Sequence, residues 1–149
     1  MTALVPGPTP DDLRRAVALL ESGGHTCVLC CGAAVLASDA HGVAPLLGWL
    51  ADGVELAGFA AADRVVGRAA ALLYARAGVT RVHAVLASEP GLAVLAAHGI
   101  QADAERVVPA ILNRPRTASC PMEAAVADID DPHAAEPALR AAVTAMQRA

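Results

Sequence analysis

Two apolar runs, 54–62 and 79–87, constrain the fold of this chain more than any other feature. Each has the length of a strand, and each is apolar enough to be covered on both faces. A helix signal follows each run. Asp63 stands before a periodic apolar stretch that reaches Ala77 and stops at Gly78; Ser88-Glu89-Pro90 opens one that ends at His98-Gly99. Buried strands alternating with helices predict an α/β domain of three layers, with a mixed sheet and helices on both faces.

The flanking segments fit that plan. Residues 1–10 hold three prolines and form a loose arm. Thr9 or Asp11 can cap a helix to about Ser22, burying Leu13, Ala16, Val17 and Leu20, and Gly23-Gly24 ends it. Residues 25–31 and 33–38 predict two short strands about a tight turn at Gly32. Gly42-Val43-Ala44-Pro45-Leu46-Leu47 opens a short helix that closes at Asp52-Gly53. Residues 100–108 supply a further strand, and Pro121 starts a helix to about Ala127. Residues 128–137 form an acidic, proline-bearing connector to an amphipathic helix from Ala138 to Arg148. One domain thus spans 1–127, with 128–149 packed on it. The sheet is expected to contain residues 26–38, 54–62, 79–87 and 100–108.

Composition excludes several partners. The chain is 56% hydrophobic but only 2% aromatic, so the core must be built from Ala, Val and Leu around Trp49, Phe59 and Tyr74. No apolar run approaches the ~20 residues of a membrane span. Met1 to Asp12 lack the basic and apolar regions of a secretory signal, so a cytoplasmic protein is expected. A net charge of −4 without basic clustering argues against a nucleic-acid partner.

Cys27-Val28-Leu29-Cys30 has the spacing of a metal or redox motif. On a strand, however, Cys27 and Cys30 point to opposite faces, and Cys27 and Cys31 stand ~13 Å apart. These thiols are small buried hydrophobes, and no metal site is expected. His25, His41, His83, His98 and His133 are scattered without ligand spacing; His83 suits a core position, and only His41, before the Gly42 loop, merits attention.

Two blocks carry polar groups that a pure scaffold would not need. In the first, Asp63 caps the long helix, and Arg64 and Arg68, four apart, share its face near the positive end of the dipole. Gly67 in the first turns costs ~1 kcal/mol relative to Ala, which often marks the close approach of a backbone or ligand. The block makes either an anion pocket or a structural Asp63–Arg pair with tight helix packing; physics alone favours the second. In the second block, Cys120 occupies an N-cap, Pro121 the first helical position and Glu123 the third, from which it can reach back as in a capping box. A thiol there is favoured as thiolate, more so beside Arg114 or Arg116; the alternative is a small buried cap neighbour.

At Gly42–Leu47, Asp63–Leu73, Asn113-Arg114 and Cys120-Pro121-Met122-Glu123, the chain resembles a bacterial family known as domain of unknown function 1893, with a cytidine-deaminase-like fold. The resemblance covers most of residues 12–127. It implies a helix–sheet–helix sandwich in which the Asp63 helix replaces the deaminase helix that begins with a zinc-binding His and catalytic Glu. Zinc deaminases need H-x-E and P-C-x-x-C, because the metal activates water while the Glu moves protons. Here Asp63-Arg64-Val65 and Ser88-Glu89-Pro90-Gly91-Leu92 stand in those places, and neither motif occurs elsewhere, so zinc-dependent deamination is excluded.

The resemblance raises the expectation that Asp63, Arg64, Arg68, Asn113, Arg114, Cys120 and Glu123 gather around one pocket. There Arg64, Arg68, Asn113 and Arg114 would hold a small, nucleotide-like or other anionic ligand, and Cys120, Glu123 and Asp63 would supply thiol or acid–base chemistry without a cofactor. The alternative is a non-catalytic module for protein contacts or homo-oligomer formation.

Overall fold

The computed structural model describes residues 10–113 and 115–148. Helix α1 (Pro10–Gly23) leads into a hairpin of β1 (Cys27–Cys31) and β2 (Ala34–Ser38), then α2 (Ala44–Ala51). Next come β3 (Ala60–Val66), α3 (Arg68–Ala77), β4 (Arg81–Ser88), α4 (Glu89–Ala97) and β5 (Gln101–Val108). Short α5 (Pro121–Ala125) and α6 (Pro132–Arg148) complete the chain. The sheet order is β2-β1-β3-β4-β5. Strand β1 runs antiparallel to β2 and β3, while β3, β4 and β5 are parallel. Parallel neighbours require a crossover, and α3 and α4 supply the two.

The faces are unequally covered. On one, α1 buries Ala16 and Leu20 against Val28, Cys30 and Ala62. On the other, α2 to α6 enclose the main core with Leu46, Leu47, Leu72, Leu73, Tyr74, Leu95 and Leu139. Cys27 belongs to the main core and Cys30 to the α1 side, so strand alternation parts them as expected. Among the described residues, no three His, Cys, Asp or Glu side chains are grouped to hold a metal, and no helix is long and apolar enough to cross a membrane.

Glycine closes the crossover helices. Gly78 takes φ +82°, and the Gly78 and Val79 N–H groups fold back onto the Tyr74 carbonyl. Gly99 takes φ +72° at the end of α4, where the Ile100 N–H donates to the Leu95 carbonyl.

Three boundaries differ from expectation. Residues 54–59 are irregular with a turn at Ala57-Gly58, and β3 begins only at Ala60, carrying Asp63 and Arg64 into the strand. Helix α3 therefore starts at Arg68 with Gly67 as its N-cap. Asp63 caps nothing, because the chain is still paired with β1 and β4 there. The last helix starts at Pro132 rather than Ala138: the Asp131 carboxylate accepts the His133 N–H, and Pro132 fits the first turn, where its missing N–H costs nothing. Pro137 is thus inside the helix. Edge strand β5 is mostly exposed, and His83 is only half-buried. Its ring bridges to Asp103 and Glu105 on β5 at 2.7 and 3.0 Å. Burial opposes its charge, but those two bonds outweigh it and raise its pKa.

Candidate functional site

The carboxyl ends of β3, β4 and β5 form one pole of the molecule, where open parallel sheets place ligands. Residues 109–113 and 115–120 lie across this pole as a strap. The strap is pinned by a bridge between Leu112 and Ser119 and by the Cys120 N–H donating to the Ile111 carbonyl at 3.1 Å. Asn113 builds its bend: the side-chain oxygen accepts from the Thr117 and Ala118 N–H groups at 3.0 and 3.4 Å, and the amide donates to Thr117 Oγ1. The Asn113 amide is therefore committed to the strap rather than held ready for a ligand. Arg114 lies outside the described residues.

The two blocks of the sequence do meet, through Glu123 rather than through arginines. Gly67 has no side chain with which to cap α3. Instead, the two Glu123 carboxylate oxygens accept the N–H groups of Arg68 and Ala69, each at 2.7 Å. Glu123 thus caps α3, 55 residues away, instead of reaching back within α5. A carboxylate satisfies two orphan donors and the positive helix end together. It also explains Gly67, because a Cβ there would stand 2.0 Å from Glu123 Oε1 and 2.8 Å from Ile111 Cγ1. Gly91 serves the neighbouring helix alike: its absent Cβ would stand 2.8 Å from the Gly67 carbonyl carbon and 2.9 Å from the Val66 carbonyl oxygen.

Arg64 and Arg68 do not share a helix face, because one lies in β3 and the other begins α3. Arg64 donates to the carbonyls of His25 and Leu20 at 3.1 and 2.8 Å, tying the end of α1 to the sheet. Arg68 donates to the Val126 carbonyl at 2.9 Å, to the Ile129 carbonyl and to the Asp130 carboxylate at 2.7 Å. Both guanidiniums are consumed in holding backbone. Among the described residues, the two arginines do not share one anion pocket.

Asp63 is buried in the core, away from the strap. Tyr74 donates to its Oδ2 at 2.6 Å, the Val65 N–H reaches its Oδ1 at 3.3 Å, and Cys27 Sγ lies 3.3 Å from the Tyr74 hydroxyl. Burial pushes the Asp63 pKa up to about 7, against the pull of its hydrogen bonds. Burial also raises the Cys27 thiol, with the Asp63 charge adding to the rise.

The open space lies elsewhere at the pole. A groove of about 620 Å³ runs between the start of α2, the strap, α5 and the end of α6. Its walls include Val43, Leu112, Met122, Val143 and Met146, with His41 at the α2 side and Cys120 between strap and α5. A smaller hollow of about 60 Å³ links Cys120 and Val43 to Gly67, Ala69 and Glu123 at the α3 terminus. Cys27 and Cys30 are buried as expected, whereas Cys31, at the end of β1, is half-buried like Cys120. Sequence reasoning placed Cys120 at an N-cap, which the structure bears out, without a side-chain capping bond. It missed the apolar walls, because Val43, Leu112 and Met146 come from separate segments and share no motif.

The family model for the domain of unknown function DUF1893 matches residues 15–142. The chain belongs to this family. A DUF1893 family protein from Thermotoga maritima, solved as a crystal structure, is similar in fold, with a TM-score of 0.82 and 22% identity over 95% of this chain and 96% of that one. No curated protein matches the chain.

Proposed function

We propose that this DUF1893 protein binds a small, mainly apolar molecule in the groove between α2, the strap, α5 and α6. The observation that carries the reading is the groove itself: about 620 Å³, within the size range of ligand pockets, with apolar walls and few polar groups. His41, Asn113, Cys120 and Gln147 supply the polar points, and Cys120 is the one thiol on its wall. Any chemistry would run through that sulfur. Asp63 is behind the core and Glu123 is engaged as a cap, so neither is assigned a catalytic role. We take the fold to be cytidine-deaminase-like, on the resemblance at Gly42–Leu47 and Cys120–Glu123 and with a compatible strand order.

The test uses a neutral probe. Octanol should slow iodoacetamide alkylation of Cys120, read by mass spectrometry, and Ala44→Trp should fill the groove and abolish the protection. Unchanged Cys120 alkylation at saturating octanol would overturn the reading. A second reading, an interaction module, is favoured by Leu112 and Met146, which are 47% and 54% exposed on the same groove. Concentration-dependent sedimentation, lost in Leu112→Ser with Met146→Ser, would select it.

A further inference from the structure

On the other side of the strap lies a second hollow of about 370 Å³. Its floor is a row across three parallel strands, Val65 of β3 beside Leu86 of β4 beside Arg106 of β5, as the strand register dictates. Ile111 and Leu112 wall it from the strap, and Arg116 closes it. Among the described residues, no acidic one lines this hollow.

Its two arginines differ from most of the others. Arg14, Arg15, Arg68, Arg76 and Arg140 face carboxylates, and Arg64 is spent on carbonyls. The guanidinium groups of Arg106 and Arg116 have no hydrogen-bond or ion-pair partner among the described residues, in a chain whose net charge is −4. Arg116 is also the one described non-glycine residue with positive φ, at +59°, a conformation that glycine adopts without cost. The strap holds this residue there through the Arg116 N–H bond to the Asn113 carbonyl. A surface turn with no further task would be easier to build with glycine.

We infer that this hollow is a site for a small organic anion, its carboxylate or phosphate held between Arg106 and Arg116 and its apolar body laid on Val65 and Leu86. Two unpaired guanidiniums supply forked donors matched to such oxygens, and the apolar floor supplies contact area that inorganic ions do not use. The site goes beyond the groove proposed above and shares with it only the Leu112-Asn113 wall.

Calorimetry with phenyl phosphate, benzoate, benzyl alcohol and benzylamine tests the inference on the intact chain. Both anions should bind, the alcohol and amine should not, and added salt should weaken binding. Arg106→Gln and Arg116→Gly should each reduce phenyl phosphate affinity by about tenfold or more, the scale of a lost charge-assisted bond. Arg14→Gln, at an exposed surface pair, should leave it unchanged. Because glycine suits the Arg116 backbone, Arg116→Gly should keep or raise the urea midpoint while losing affinity, so binding and folding are read apart. Equal binding of benzyl alcohol, no binding of either anion at millimolar concentration, undiminished affinity in both variants, or binding only to vesicles of anionic phospholipid would each overturn the inference. Octanol protection of Cys120 should persist in both variants, so a failure of this site is distinguishable from a failure of the groove.

Discussion

Replacing Asp63 with Asn should make the protein more stable at alkaline pH and flatten its dependence on pH. Asp63 is 6% exposed in the main core, with the Tyr74 hydroxyl and the Val65 N–H as its hydrogen-bond donors. Cys27 of β1 faces the same hydroxyl, β4 contributes Ala84 at the paired position, and Arg64 on the same strand turns away to Leu20 and His25. Among the described residues no cation offsets a carboxylate there, so the folded state favours the proton. The pKa rises from 3.8 to about 7. For an acid raised on folding, stability is complete below the unfolded value and falls as pH climbs to the folded value, levelling off above it. Three units at ~1.4 kcal/mol each give a loss of about 4 kcal/mol across the window, of which about 3 kcal/mol falls between about pH 5 and pH 8.

Urea unfolding followed by circular dichroism measures this directly. Titration of every other group is common to both proteins, so the difference between Asp63→Asn and the parent isolates Asp63. Asn keeps an oxygen for the Tyr74 hydroxyl without a charge to desolvate. The variant should gain on the parent by about 3 kcal/mol as pH rises from about 5 to about 8, or roughly 6–12 °C in melting temperature for a domain of this size. Tyr74→Phe removes a bond that lowers the Asp63 pKa and should move the parent's pH step upward. A difference between parent and Asp63→Asn that stays constant across this range would refute the argument that the buried carboxyl titrates near neutrality.

Removing the Glu123 cap should loosen α3 at its start: Glu123→Ala is expected to cost about 2–4 kcal/mol and Glu123→Gln about half as much, since the amide retains one acceptor but no charge. Faster hydrogen exchange at the Arg68 and Ala69 amides would locate the effect; unchanged exchange would contradict it. Gly91→Ala should destabilise by about 2 kcal/mol although Ala is the better helix former, because its Cβ meets the Val66–Gly67 backbone. Gly48→Ala in α2, with nothing within 4 Å of the new Cβ, should instead add up to ~1 kcal/mol. Urea midpoints that move in the same direction for both glycines would refute the packing account.

The sheet was legible because its signals are local. Gly32 between two apolar segments, Gly78 and Gly99 after periodic stretches, and Ser88 as a cap all act within a few residues, and the Ser88 hydroxyl accepts the Gly91 N–H at 3.0 Å. The start of α3 was not legible for the opposite reason. Asp63 has the chemistry of a cap, but its β1 and β4 neighbours keep it in the strand, and the residue that performs the capping comes from α5. Local pattern cannot distinguish a helix capped by its own chain neighbour from one capped by a distant carboxylate. The register of Arg64 and Arg68 failed with it, since a strand and a helix start do not share one face.

Glycine 67 was a truer guide than the arginines beside it. Its position in an apolar, helix-forming segment demanded a close approach, and the structure supplies one, by a carboxylate. The positive end of α3 thus does attract an anion, and the chain provides it from within. That leaves little reason for an external anion to bind at Arg64 or Arg68, whose donors are also spent. Arg106 and Arg116, by contrast, sit where no carboxylate among the described residues reaches them. Charge that the fold has already neutralised is architecture; charge left without a partner over an apolar floor is where recognition has something to gain.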